Sequence, residues 1–143
     1  MTNIENISLK TWEKILKVNL TSSFLLTKYL IPLMDLAEMP RIIFTSSGVA
    51  FKGEAFWGAY SVSKSGVKVL SEILNDEMDH KKNFKVFNFN PKATRTDMRA
   101  SVFPAENPNQ LKEVEELMPY YIWMLSENSN DSSEIHIEYG DQI

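Results

Sequence analysis

From position 9 to about 39, apolar residues recur at helical spacing. Trp12, Ile15, Leu16, Leu20, Phe24, Leu30 and Met34 follow one another at steps of one, three, four and six. Ser8 stands just ahead, where a hydroxyl can accept from an orphan backbone N–H of a helix start. The middle of this predicted helix is apolar on more than one side, which implies deep burial or a helix–helix interface. Pro32 is expected to kink it, because proline lacks an N–H and crowds the preceding turn. After Pro40, the β-branched and aromatic run 41–47 (RIIFTSS) predicts a buried strand. A glycine-punctuated loop (GVAFKGEAFWG) leads into a second helix over 59–80, with Val62, Val67, Leu70, Ile73, Leu74 and Met78 on its apolar side. Residues 84–90 (FKVFNFN) predict a second strand, ended by Pro91. The stretch 94–114 is polar and proline-marked, a loop with short helical turns. A third helix follows over EELMPYYIWMLS, with Pro119 in or near its first turn, and 134–140 predicts a last short strand.

Helices and strands thus alternate, which implies a parallel α/β sheet with crossover helices. A chain of 143 residues fits one domain. Composition narrows the function classes. The net charge is −4, and the small cluster Lys81, Lys82 and Lys85 has no interleaved aromatics, so nucleic acid is not an expected partner. There is no cysteine, hence no disulfide framework and no thiolate metal site, and His80 and His136 are far apart, so no metal is expected. The first ten residues lack the pattern of a secretory leader, and the apolar stretches are too short for a membrane span of roughly 20 residues. A cytoplasmic location is the expectation.

Candidate chemistry centres on GAYSVSKSG. Tyr60 and Lys64 are four apart, so on a helix they share a face near its positive end. An ammonium about 4 Å from a phenol, at an effective dielectric near 20, contributes on the order of 4 kcal/mol, or roughly three pKa units. That predicts a tyrosine acidified towards neutral pH and able to exchange a proton with a carbonyl or an alcohol. The small residues around the pair leave room for a flat ring. Ser47 ends the first predicted strand, and ligands of open α/β sheets bind at such carboxyl ends. Asn19 lies inside the first helix, where asparagine needs solvent or a specific partner. NFNPKATRTDM follows the second strand, again at its carboxyl end.

Asn19, Ser47, Tyr60 and Lys64 in that order, with NP-ATRTDM after the next strand, resemble the short-chain dehydrogenase/reductases. The resemblance runs from WEKILKVNL to IEYG, and the segments WGAYSVSKSG and MPYYIWML are similar to its bacterial YciK-like group. It implies the C-terminal part of a Rossmann-type, doubly wound parallel sheet, with about three strands and long crossover helices. It also implies NAD or NADP as cofactor and a small carbonyl or alcohol as substrate. Tyr60 would be the general acid/base, Lys64 would lower its pKa and hold the nicotinamide ribose, Ser47 would bond the substrate oxygen, and Asn19 would anchor a relay to Lys64. Pro91 and Thr96 would lie along the nicotinamide, and Arg95, Met98, Arg99 and Phe103 would cover substrate.

The five glycines, Gly48, Gly53, Gly58, Gly66 and Gly140, do not form the G-x-x-x-G-x-G turn that the family uses for the cofactor pyrophosphate. By resemblance, the N-terminal cofactor half is missing from these residues, and 1–143 is one partial domain. Two glycine positions also differ. Lys92 follows Pro91 where the family has glycine, and a positive φ there carries strain of order 1 kcal/mol. Ser133–Glu134 replaces a Thr–Gly pair. The first strand is then expected to expose an apolar edge, and the expected partners are a second copy, through helices 9–39 and 59–80, or a complementing N-terminal half. Two classes of function stand: a dehydrogenase that is inactive alone, and a non-catalytic remnant or interaction module.

Overall fold

The structure is a computed structural model that describes residues 2–81 and 83–143. Three parallel strands form one sheet in the order β1 (Arg41–Thr45), β2 (Lys85–Asn90) and β3 (His136–Glu138). Phe44 lies opposite Asn88, and Asn88 opposite His136. The side-chain period of two then splits the core between the sheet faces. Phe44 and Val86 pack with Val67 and Leu74 of α3 (Gly58–Met78). Phe87, Phe89 and Ile137 pack on the other face with Leu117 and with Met124 of α5 (Met118–Leu125). The predicted α/β alternation and parallel pairing are observed. So is the third helix, with Pro119 in the first turn, where a missing N–H costs no helical bond.

The first predicted helix differs. It runs as α1 (Leu9–Leu16), a π turn over Lys17–Thr21, and α2 (Ser22–Met34). Ser8 caps α1, its hydroxyl accepting from the Thr11 N–H at 3.1 Å. Ser22 and Ser23 hydroxyls donate back to the carbonyls of Val18 and Asn19, the latter at 2.7 Å, which satisfies acceptors that the wider turn loosens. Pro32 falls in the last turn of α2. Gly66 lets α3 approach this π turn, because a Cβ there would lie 2.7 Å from Leu20 Cδ2. Deep burial of the first helix is not what forms. Within α2 only Thr27 is buried, and Leu26, Tyr29 and Leu33 are open. On α3, Val62, Val69 and Ile73 continue the exposed apolar surface at helical spacing.

The strands are shorter than predicted, since Ser46 and Ser47 leave the ladder after one more bond, Ser46 N–H to the Phe89 carbonyl at 2.7 Å. Among the described residues β1 pairs only with β2, and its other edge borders a groove of about 450 Å³ below α2. Of the lysine cluster, Lys81 pairs with Asp35, Lys85 donates to the Ser132 carbonyl, and Lys82 lies outside the described residues. No helix among the described residues is long and apolar enough to cross a membrane, and no cluster of acidic, histidine or cysteine side chains there is arranged to hold a metal.

One polar link ties β3 to α3. Glu72 Oε1 accepts from Lys68 Nζ at 2.5 Å and meets His136 Nε2 at 2.8 Å, while His136 packs edge-on to Phe51. The Lys68 bond chiefly holds the Glu72 carboxyl below its ordinary range. Burial opposes it, and the His136 bond adds to it. A depressed carboxylate stabilises the fold above the unfolded-state pKa of about 4.3, and that contribution disappears as pH falls through the lower folded value. Glu72→Gln is therefore expected to show a shallower fall in melting temperature between about pH 5 and pH 3. The difference, about 1–3 °C for a half-exposed pair, is read by calorimetry. Parallel acid limbs in the two proteins would contradict it.

Candidate active site

Ser47 follows β1 in extended backbone and leads into a single 3-10 turn, Gly48–Ala50. That turn is fixed to α3 by two serines. Ser61 Oγ donates to the Val49 carbonyl at 2.7 Å, and Ser65 Oγ to the Ala50 carbonyl at 3.1 Å. Ser63, wholly buried, donates to the Tyr60 carbonyl at 2.7 Å and accepts from Asn19 Nδ2 at 3.0 Å. The small residues around the Tyr–Lys pair thus fasten the site together, where the sequence alone implied open space. Gly58 sets where α3 begins. Its φ is +21°, and a Cβ would lie 2.3 Å from Ile7 Cδ1.

Tyr60 sits in the first turn of α3, and Lys64 one turn on. The structure brings Tyr60, Ser47 and Lys64 to the carboxyl end of β1. The Ser47 side chain is near enough to the phenol to favour its ionised form. Lys64 Nζ donates to the Thr45 carbonyl at 2.8 Å and lies 5.7 Å from the centre of the Tyr60 ring. Asn19 lines the same groove as Lys64, although its amide is spent on Ser63.

The electrostatics reverse the expectation of an acidified phenol. Burial raises the Tyr60 pKa above its ordinary value, and the nearby Ser47 side chain offsets this only in part. Burial also lowers the Lys64 pKa. The cause is geometric: the ammonium is directed at a backbone carbonyl, and desolvation penalises both charged forms.

Pro91 follows β2 and is half-buried. Thr96 caps α4 (Asp97–Val102), its hydroxyl accepting from the Arg99 N–H at 3.2 Å. The buried hydroxyl at this strand end belongs to Thr94, bonded to the carbonyls of Pro91 and Lys92. Lys92 has φ +54°, the conformation for which the family uses glycine. An Asn90 side-chain bond to its N–H and a 2.7 Å ion pair with Glu138 hold it there.

The segment 94–114 contains α4 and a 3-10 turn over Pro108–Gln110, in keeping with the loop with short helical turns expected there. Arg95 pairs with Glu113, and Arg99 makes two bonds to Glu106 at 2.6 and 2.7 Å. Met98 is exposed. Phe103 lies 3.8 Å beneath the Arg99 guanidinium and packs on Trp57, which in turn packs on Tyr60 at 5.6 Å. Trp57, Ser63 and Thr94 are site residues beyond those expected. For Trp57, the available signal was an aromatic three residues before Tyr60, at the helix start.

A parallel α/β sheet with a serine, a tyrosine and a lysine gathered at its carboxyl end defines the class of Rossmann-type oxidoreductases. Residues 1–107 match the family described as short chain dehydrogenase, and the chain belongs to that family. It is 38% identical over 120 residues to the uncharacterized oxidoreductase YciK of Escherichia coli K12, covering 84% of this chain and 47% of that protein. The chain thus spans about half the length of this curated relative. A short chain dehydrogenase from Salmonella enterica serovar Typhi superposes with TM-score 0.94 at 33% identity, over 99% of this chain and 58% of that one. Another from Escherichia coli CFT073, solved with NADPH, gives TM-score 0.91 at 33% identity, over 97% and 57%.

Proposed function

We propose that these 143 residues are the proton-handling part of one dehydrogenase domain that reduces a small carbonyl compound with NADPH or NADH. The observation that carries this is Tyr60 in the first turn of α3 with Lys64 one turn away, its ammonium bonded to the Thr45 carbonyl at the end of β1. The residues fit the nicotinamide end of such a cofactor. Tyr60, Lys64, Pro91 and Thr96 stand at the carboxyl ends of neighbouring parallel strands. They do not include a glycine-rich cradle for its pyrophosphate. A bound nicotinamide would supply or accept the hydride. Tyr60 Oη gives its proton to the carbonyl oxygen as the alcohol forms, Ser47 orients that oxygen, and Lys64 balances the resulting phenolate. A buried phenol of raised pKa holds its proton at neutral pH, so the site is set to donate, in the direction of reduction.

The free edge of β1 takes a further parallel strand from the phosphate-binding half, supplied by other residues of the same protein or by a partner chain. The exposed apolar surface of α2 and α3 supports a second contact, with another copy of the chain. That same surface favours the second reading, an interaction module without catalysis. Localisation is assigned to the cytoplasm, in line with a chain free of cysteine.

The test is an NADPH titration of the chain completed by the N-terminal half of the E. coli YciK relative, followed by cofactor fluorescence. Micromolar binding that Lys64→Ala weakens about tenfold is expected. No binding at millimolar NADPH would remove the oxidoreductase reading and leave the interaction module.

A further inference from the structure

The four cations of the segment 92–113 are all committed within the protein. Lys92 is held by Glu138, Arg95 by Glu113 and Arg99 by Glu106. Lys112 donates to the Ala93 carbonyl at 2.6 Å and lies over the Tyr139 ring. Lys64, beside the phenol, is tied to the Thr45 carbonyl. The surface this segment turns towards Tyr60 is aromatic instead. Phe103 packs on Trp57 at 5.9 Å, and Trp57 on Tyr60 at 5.6 Å. The Arg99 guanidinium, paired with Glu106, lies over the Phe103 ring and so steadies that ring where it meets Trp57.

We propose that the site takes an uncharged carbonyl compound with a flat apolar group next to the carbonyl, an aryl ketone or aldehyde, and discriminates against carbonyl acids and phosphates. This rests on the reading above that Tyr60 is the proton donor. An aromatic ring lying along Trp57 and Phe103 gains the offset or edge-on contacts that such rings prefer, and brings its carbonyl to the neighbouring phenol. A carboxylate at the same place leaves water for a site whose cations already have partners, and unpaired charge is disfavoured there. Arg99 therefore acts through Phe103, as a positioning residue for the aromatic wall, and not as an anion receptor.

Binding is read on the 143-residue chain without cofactor. The indole N–H resonance of Trp57, assigned with Trp57→Phe, is followed during titration with acetophenone and, separately, with acetoacetate. Acetophenone is expected to shift that resonance saturably and about tenfold more tightly than acetoacetate. Phe103→Ala is expected to weaken acetophenone by about tenfold. Glu106→Gln, which releases Arg99, is expected to strengthen acetoacetate. Acetoacetate binding as tightly as acetophenone, or acetophenone binding untouched by Phe103→Ala, overturns the proposal. Because no turnover is read, a chain that binds acetophenone yet never oxidises NADPH fails the proposed reaction and not this inference.

Discussion

Phe89→Ala is expected to unfold most of the molecules. Phe89 is wholly buried at the centre of the sheet, on the face towards α5. Its ring stacks on Tyr120 at 5.4 Å and meets Tyr121 edge-on at 5.3 Å. Deleting a buried phenylalanine costs about 3–5 kcal/mol, in transfer energy and in the cavity that neighbours cannot fill. The two ring pairs raise that figure, at about 0.5–1.5 kcal/mol each. A domain is stable by only about 5–15 kcal/mol, and one that holds a single three-stranded sheet belongs at the lower end. Phe89→Leu, which keeps most of the volume, is expected to cost about 1.5 kcal/mol. Urea unfolding followed by circular dichroism reads both. An alanine variant less than about 1 kcal/mol below the parent would show that this face is not the core.

The second large effect is chemical. In the cofactor-competent assembly, Tyr60→Phe is expected to lower kcat by about 10²–10⁴-fold, the range for removing a general acid. The ring stays against Trp57 and the hydroxyl alone is lost, so the circular dichroism spectrum should be unchanged. The pH profile carries the finer expectation. The acid must be protonated to act, and burial raises its pKa, so reduction should hold through neutral pH. It should fall only on the alkaline side of about 10, the ordinary phenol value. A rate limb near pH 7 would mean that Lys64 acidifies the phenol after all. Turnover within a few-fold of the parent would remove Tyr60 from catalysis.

The strands and their parallel alternation with helices were legible because β-branched and aromatic runs such as RIIF and FKVF sit between proline and glycine breaks. The tyrosine and lysine were legible from spacing, and Ser47 from its place after a strand. Other features depend on residues distant in sequence. The π turn at Lys17–Thr21 interrupts an apolar pattern that looks continuous, and it rests on contacts with α3 such as Leu20 with Gly66. The direction of the Tyr60 shift is set by burial, which only tertiary packing creates. Trp57 packs on Tyr60 directly, and Phe103 reaches it from beyond α3 and β2. The left-handed turn at Lys92 was foreseeable as strain, while its partner Glu138 arrives from the last strand.

The π turn has a consequence for how this stretch can change over generations. Each residue of an α-helix advances the chain by about 100° around its axis, so a surplus residue leaves the two flanking helices out of phase. Deleting any one residue of that turn would restore a regular ladder and swing either α1 or Asn19 more than a quarter turn away. Local regularity and the placement of Asn19 against Ser63 exclude each other. The stretch can therefore accept new side chains far more readily than a change in length.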